Sequence, residues 1–582
     1  MTSPGATPPP ESAGYPSGLG SGARICYGSG MVAPLTSPEH RSGLMPDLPS
    51  RRRSTLILAL IALAGLTYVA GLNVLPLTDP DEVFYAQTAR EMLQHHSLLT
   101  PLMFSHPQFE KPPLTYWCLM ASFSAFGVTP WAARLIPALF GMLGVAATYF
   151  FGRRVLPERT AALAALIQAT CLVCLGQSIA LLTDMVFTSL IVVSMWGFYL
   201  WFAERRQCFL YLFAAAAALA VLTKGPVGII AELLAIVAFL LVTKSREALR
   251  SFLLHPWWLV FGALAAPWYL YATITYGRAF TWEFLVHDNW DRILRAEHTN
   301  FDNQYFYPAV IVVGIIPWTP LLAFLGAGWK KHRALATFLG MWFLAVYVIF
   351  AIAHSKLASY ILPLFPALAV LLALSLESIE GTRRRTAVAA AVFMLFGAGM
   401  IAAPWLARGP LAAELRPLLL AVAAFGVVQV ACGALLLMRR LAPVVALNAA
   451  GFLAIVLLGF LSVPAAATDG FTDAGMPRIV AEQGLAGQTI VASKLYARGV
   501  NFHTGNPIAV MDSRANPFWS PHPIPVLWQD DQLRSFFDDK AKVLCVIRPG
   551  DVRRLDSLFA GERTQSVLSD QFDRMVVLSV KK

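Results

Sequence analysis

Charge is scarce in this chain: only 14% of its 582 residues are Asp, Glu, Lys or Arg, whereas 57% are hydrophobic. Soluble globular domains carry about a quarter charged residues, so an ordinary water-solvated surface is excluded and the bilayer must act as solvent. Cysteine is sparse too, and the seven residues (Cys26, Cys118, Cys171, Cys174, Cys208, Cys432 and Cys545) are scattered, mostly inside apolar runs. That distribution excludes a disulfide framework or a zinc-ligand array. Cys171 and Cys174 form a CxxC, but inside an apolar run the pair reads as packing. No charged segment leading into an apolar stretch opens the chain, so a cleaved signal peptide is not expected there. The net charge of +11 raises the question of nucleic acid. Its basic residues fall in short clusters between apolar runs, the pattern of positive-inside loops, so no nucleic-acid partner is expected.

What the chain does have is a long series of apolar runs of about 20 residues, the length that crosses ~30 Å of hydrocarbon as helix. In lipid such runs must satisfy their own backbone groups, so they are helices rather than open sheets. Residues 1–50, rich in Gly, Pro and Ser and without periodicity, are expected to be a disordered cytoplasmic tail. Arg51, Arg52 and Arg53 directly precede the first run, which puts the N-terminus inside. Spans are predicted near 55–75, 131–152, 159–179, 185–203, 209–222, 226–243, 257–275, 307–327, 335–353, 359–377, 387–404, 417–438 and 443–463. With about thirteen spans, the basic clusters Arg153/Arg154, Arg205/Arg206, Lys244 to Arg250, Lys330 to Arg333, Arg383 to Arg385 and Arg439/Arg440 all fall on the inner side. Parity leaves 113–128, and the amphipathic stretch Asp81 to His96, as helices lying at the outer surface.

The expected organisation is a polytopic α-helical membrane domain over 51–464, with external loops 76–130 and 276–306, and a small periplasmic α/β domain over 465–582. In that last part the runs Thr489–Ser493, Lys542–Ile547 and Met575–Val580 read as strands beside helices at 528–539 and 550–560.

This topology gathers the ionisable groups near the spans on one outer face: Asp79, Asp81, Glu82, Glu110, Lys111, Asp184, Lys224, Glu283, His287, Asp288, Arg292, His298, Lys356 and Tyr360. Charges beside a membrane are costly and usually functional. A mixed-charge pocket at that level suits a substrate with an anionic phosphate, a polar group and a lipid tail. In Thr78-Asp79-Pro80-Asp81-Glu82-Val83-Phe84-Tyr85-Ala86 a carboxylate can take a proton from a hydroxyl or orient a sugar, and adjacent acids could hold a metal. In Phe109-Glu110-Lys111-Pro112-Pro113 the lysine can neutralise a phosphate. Asp184 stands at the start of one span, as a functional acid or a simple N-cap, and Lys224 at the start of another, where a helix N-terminus would add to a phosphate site.

Taken in order, these pieces resemble the bacterial 4-amino-4-deoxy-L-arabinose lipid A transferase family and, more distantly, the protein O-mannosyltransferases, both C-type membrane glycosyltransferases. The likeness covers about 55–380: Asp81 to Ala86 with Arg90 to Leu93, Phe109 to Pro112, Asp184, Thr223-Lys224-Gly225, the segment Phe284 to Tyr307, Pro317-Trp318, and Ser355 to Leu362. The resemblance implies the C-type fold and transfer of a sugar, 4-amino-4-deoxy-L-arabinose, from undecaprenyl phosphate to lipid A or a related envelope acceptor. The reaction would take place on the periplasmic face of the inner membrane, by a monomer among membrane lipids. It implies Asp81 as principal catalytic acid with Glu82 beside it, Asp184 as a second acid, and Lys111, Tyr85, Lys224, Arg292, Lys356 and Tyr360 as substrate contacts. No cofactor is required, although family members can carry a divalent metal such as zinc through a glutamate and a histidine matching Glu110 and His298 or His287. The chain departs from the family pattern Asp-Glu-x-Arg-Tyr-Ala by placing Phe84 at the arginine's position. An aromatic ring cannot replace a phosphate-binding guanidinium, so another cation such as Lys224, Arg292 or Lys356 compensates or the substrate differs. Polyprenyl-phosphate-mannose-type transfer to protein or another envelope glycan is the nearest alternative. A lipid flippase would need span repeats and mid-membrane charge, and a non-catalytic assembly protein would leave Asp81, Lys111 and Asp184 without a purpose.

Overall fold

The computed structural model describes residues 50–78, 80–284, 303–379, 383–408, 416–462, 472–511, 524–571 and 574–582. The tail ending at residue 50, the boundary at 464, Asp79, His287, Asp288, Arg292 and His298 lie outside, or largely outside, these residues. Among the described residues nine helices are long and apolar enough to span a membrane, and ten if a bent pair counts as one.

The chain enters by α1 (Ser50–Ala70), then lays down α2 (Asp81–Gln94), a two-stranded ribbon of β1 (Leu102–Met103) with β2 (His106–Pro107), and α3 (Leu114–Phe126). Next come α4 (Pro130–Gly152), α5 (Glu158–Thr170), α6 (Leu172–Ser178), α7 (Thr183–Glu204), α8 (Cys208–Lys224), α9 (Val227–Val242), α10 (Arg246–Leu254) and α11 (Trp257–Tyr276). The start of α4 shows why it begins where it does: Thr129 accepts from Ala132 N at 3.1 Å and Pro130 fills the first turn. Helix α7 and the span Ala358–Leu376 are the most enclosed and α11 the least, so the first two lie in the centre of the bundle and α11 towards lipid.

The predicted span 159–179 is two helices meeting at 62°. Cys171 is extended at the break, so the CxxC straddles a bend and both thiols are free. The predicted span 307–327 is likewise interrupted: α12 (Phe306–Gly314) ends and a short 3-10 turn, Thr319–Phe324, follows. The two interruptions repair one another. Leu172 N donates to Ile316 O at 2.8 Å, and Trp318 Nε1 to Thr170 Oγ1 at 2.9 Å. Non-helical backbone at this depth is tolerated because it is buried in protein that satisfies it.

The remaining helices are α13 (Arg333–Ile352), α14 (Phe365–Ile379), α15 (Arg383–Leu406), α16 (Arg416–Leu437) and α17 (Leu441–Ser462). Polar side chains tie them to the break: Gln429 Nε2 donates to Asn448 Oδ1 at 2.6 Å, and Asn448 Nδ2 to Pro317 O at 3.1 Å.

The C-terminal part is a six-stranded mixed sheet in the order β5-β4-β3-β6-β8-β7, built from β3 (Ile490–Ser493), β4 (Ile508–Met511), β5 (Val526–Leu527), β6 (Lys542–Ile547), β7 (Arg563–Gln571) and β8 (Arg574–Lys581). Strands β5, β4, β3 and β6 pair in parallel, and β8 is antiparallel to β6 and β7. The helices of this part are α18 (Met476–Glu482), α19 (Lys494–Thr504), α20 (Asp530–Asp538) and α21 (Pro549–Leu558). Ile490, Val491 and Ala492 are all buried, the near-continuous apolar run expected of a central parallel strand covered on both faces.

Helix α2 is enclosed by protein: ten of its fourteen residues are buried. Its other face is covered by α19 of the C-terminal part, where Arg90 Nη1 donates to Phe502 O at 2.9 Å and Gln87 Nε2 to Asn501 Oδ1 at 3.1 Å.

Candidate active site

Adjacent residues on a helix point about 100° apart, and this separates the two predicted acids of α2. Asp81 faces solvent at the first turn, while Glu82 is buried. Glu82 accepts from Arg134 Nε at 2.8 Å, Leu181 N at 2.8 Å, Thr78 N at 2.9 Å and Thr78 Oγ1 at 2.8 Å, and forms an ion pair with Arg134 Nη2 at 2.5 Å. Burial alone would push its carboxyl up, but these donors hold it below the ordinary value. Both oxygens of Glu82, predicted as a catalytic acid, are occupied in tying α2, α4 and the approach to α7 together.

Asp81 is accessible to solvent yet enclosed by protein mass, as a carboxylate in a recess would be. Enclosure raises its carboxyl above the ordinary value, opposed first by Arg498 and, more weakly, by Lys111, and reinforced by Asp184 and Glu110. Charges of both signs thus lie near enough to Asp81 to bias its proton. Tyr85 is buried behind it, with its ring 6.2 Å from that of Tyr116.

The segment carrying Glu110 and Lys111 is held by side chains: Gln108 Oε1 accepts from Glu110 N at 2.9 Å, and Gln108 Nε2 donates to Tyr116 Oη at 3.0 Å. Lys111 Nζ donates to Glu110 O at 2.6 Å.

Asp184 and Lys224 meet across 40 residues, Lys224 Nζ donating to Asp184 Oδ1 at 2.5 Å. The simple N-cap alternative for Asp184 fails, because Leu182 holds that position and Asp184 lies in the first turn of α7, where the helix dipole favours an anion. The placing of Lys224 at a helix start is also corrected. Gly225, at φ 98°, ends α8 just after it, so the ammonium complements a helix C-terminus. Its Nζ lies 4.8 Å from the centre of the Tyr360 ring. Lys224, Tyr360 and Asp184 are thus brought together, and Lys356, four residues before Tyr360, is buried.

Two arginines were absent from the predicted set. Arg134 had a signal: a guanidinium inside an apolar run is costly and rarely idle. Arg498 had none, since it lies in the C-terminal part, 388 residues from its partner. Its Nη2 meets Glu110 Oε1 at 2.6 Å and its guanidinium lies 4.3 Å from the centre of the Phe84 ring.

Glu110, the described member of the predicted ligand pair, is engaged by a guanidinium, whose charge opposes a divalent cation at that oxygen. Among the described residues no group of three or more His, Cys, Asp or Glu could hold a metal, and His298 and His287, the predicted second ligands, lie outside the described residues.

A family model described as dolichyl-phosphate-mannose-protein mannosyltransferase matches residues 110–271. Two uncharacterised proteins of Aquifex aeolicus are 31% and 32% identical, over 51% and 54% of this chain and 59% and 72% of their own lengths. The undecaprenyl phosphate-alpha-4-amino-4-deoxy-L-arabinose arabinosyl transferase of Erwinia tasmaniensis is 28% identical over 62% of this chain and 68% of its own. The solved structure of ArnT from Cupriavidus metallidurans bound to undecaprenyl phosphate superposes with a TM-score of 0.76 at 23% identity, covering 90% of this chain and 98% of that one. The chain is similar to the aminoarabinose-transferase branch of the C-type membrane glycosyltransferases and shares their fold. Its apolar helices and this similarity make it a multi-pass inner-membrane protein with the C-type fold. The matched relatives align over 59% to 72% of their length, and Phe84 remains where the family pattern has an arginine.

Proposed function

We propose that the protein is a glycosyltransferase that moves a sugar, 4-amino-4-deoxy-L-arabinose in the favoured reading, from undecaprenyl phosphate to lipid A or a related envelope acceptor at the periplasmic face. The observation that carries this reading is the gathering of Asp81, Glu110 and Asp184 with Lys111, Arg498 and, through Asp184, Lys224 in one cluster of balanced charge.

In the reaction the acceptor oxygen forms a bond to the anomeric carbon as the bond from that carbon to the phosphate oxygen breaks. Undecaprenyl phosphate leaves with the electron pair as a stable anion. The protein therefore has to position two lipids and neutralise a phosphate, which fixed cations in a water-poor site do well. With a phosphate acceptor no proton has to move, and Asp81 orients the sugar. With a hydroxyl acceptor, Asp81 takes the proton. The reading requires no metal.

The test is transfer by purified protein in proteoliposomes containing undecaprenyl-phosphate aminoarabinose and lipid A, read by mass spectrometry of the lipid A. Lys111→Ala should weaken use of the lipid donor by about tenfold to a hundredfold, the worth of one charge-assisted contact. Unchanged donor KM in that variant would remove Lys111 from the phosphate site. A second reading, mannose transfer from a polyprenyl phosphate to protein or another envelope glycan, is favoured by the family model over 110–271 and by Phe84. Envelope glycans of cells with and without the gene would separate the two, since a change confined to lipid A excludes it.

A further inference from the structure

The ring of Phe84 is a seat. The guanidinium of Arg498 rests on it at 4.3 Å from the centroid and reaches Glu110 Oε1 at 2.6 Å. A guanidinium held over an aromatic face is a fixed, planar fork of N–H donors, the kind of group that serves bidentate recognition of a phosphate.

This placement is built rather than incidental. Arg498, Asn501 and Phe502 share one face of α19 by their i, i+3, i+4 spacing, and they meet Phe84, Gln87 and Arg90 of α2. Gln87 donates to Asn501 Oδ1, Arg90 donates to Phe502 O, and the Arg90 guanidinium lies 4.5 Å from the centre of the Phe502 ring. Three consecutive contacts along α2 fix the register of α19, and with it the position of Arg498.

Charge supplies the second argument. Around Asp81 stand the acids Glu110 and Asp184 and the cations Lys111, Arg498 and, through Asp184, Lys224. Three acids face three bases. Without Arg498 the group would carry an excess of negative charge, the wrong sign for a site that must hold a phosphate.

We propose that Arg498 is the phosphate-recognising arginine of this site, carried in by the C-terminal domain and seated on Phe84, so that the domain completes the donor site. The inference rests on the donor reading above. It gives Glu110 the task of aiming a guanidinium, and it turns the departure at residue 84 into a relocation of charge: the cation comes from the neighbouring domain instead of from α2 itself.

Undecaprenyl phosphate itself is the probe, titrated against full-length protein in detergent, with sugar transfer measured in parallel. Arg498→Gln keeps a hydrogen-bond donor near Glu110 and removes the charge. It should weaken undecaprenyl phosphate binding and raise donor KM by about tenfold or more. Arg498→Ala should do the same, and adding Phe84→Arg to Arg498→Ala should recover most of the loss by returning a guanidinium to the same place. Binding by Arg498→Gln within about twofold of wild type overturns the proposal, as does a soluble, well-folded Arg498→Ala/Phe84→Arg protein that binds no better than Arg498→Ala. Wild-type protein that binds undecaprenyl phosphate and transfers no sugar would overturn the transferase reading alone. Transfer that is normal in wild type and in Arg498→Gln would overturn this inference alone.

Discussion

Replacing Asp81 with Asn should lower sugar transfer by about a hundredfold to ten-thousandfold, the range for a positioned acid or base, while leaving the amount and stability of folded protein unchanged or improved. The change is close to isosteric, and the side chain is accessible to solvent, so little packing is lost. The direction of the carboxyl's shift makes the second half of the expectation specific. Its enclosure favours the neutral form, so its contribution to stability is fullest at low pH and is lost as pH rises through the raised value. At neutral pH the ionised Asp81 is thus a cost that asparagine removes, and the variant should melt at the same temperature as wild type or higher. Activity runs the opposite way. The working form is the carboxylate, so wild-type transfer should fall as pH drops through a value above an aspartate's ordinary one, and the residual activity of Asp81→Asn should lack that limb. Thermal unfolding and a pH profile of transfer, on one preparation, check both. An Asp81→Asn protein with full activity would remove Asp81 from the mechanism.

The sequence makes these two acids look alike, and the helix separates them. Neighbouring letters in one motif, Asp81 and Glu82 are turned by α2 towards solvent and towards Arg134 respectively. Local signals of this kind carry residue type and depth but not direction. Long apolar runs were legible for the same reason: a span is recorded in twenty consecutive letters. The breaks at Cys171 and after Gly314 were not, because hydropathy continues across them and what permits each break is the other, Leu172 N meeting Ile316 O. In the C-terminal part, strands β3, β6 and β8 stood out as compact apolar runs. The edge strand β7, Arg563–Gln571, is mostly polar and is defined by its pairing with β8. Arg498 is the extreme case. Its role depends on a contact with Glu110 across 388 residues, and nothing in the letters around either residue records it.

Arg134→Ala should be the most damaging single change outside the reacting groups, lowering stability by about 3–5 kcal/mol, the loss seen when one partner of a buried ion pair is removed. The guanidinium donates to Glu82 and also to Leu75 O at 2.5 Å, Pro76 O at 2.9 Å and Leu72 O at 3.3 Å. It therefore closes off the end of α1 and the approach to α2, and its loss would leave the Glu82 carboxylate buried without a countercharge. The yield of monodisperse protein in detergent and its melting temperature should both fall. Arg134→Met combined with Glu82→Gln should recover part of the deficit, because the stranded charge is gone. The same pair tests the assignment of Glu82. Glu82→Gln alone should reduce activity only in proportion to the folded protein lost, with kcat per folded molecule close to wild type. A well-folded Glu82→Gln enzyme whose kcat falls a hundredfold would return Glu82 to the chemistry, and the Arg134 pair would then be read as the device that holds a catalytic acid in place.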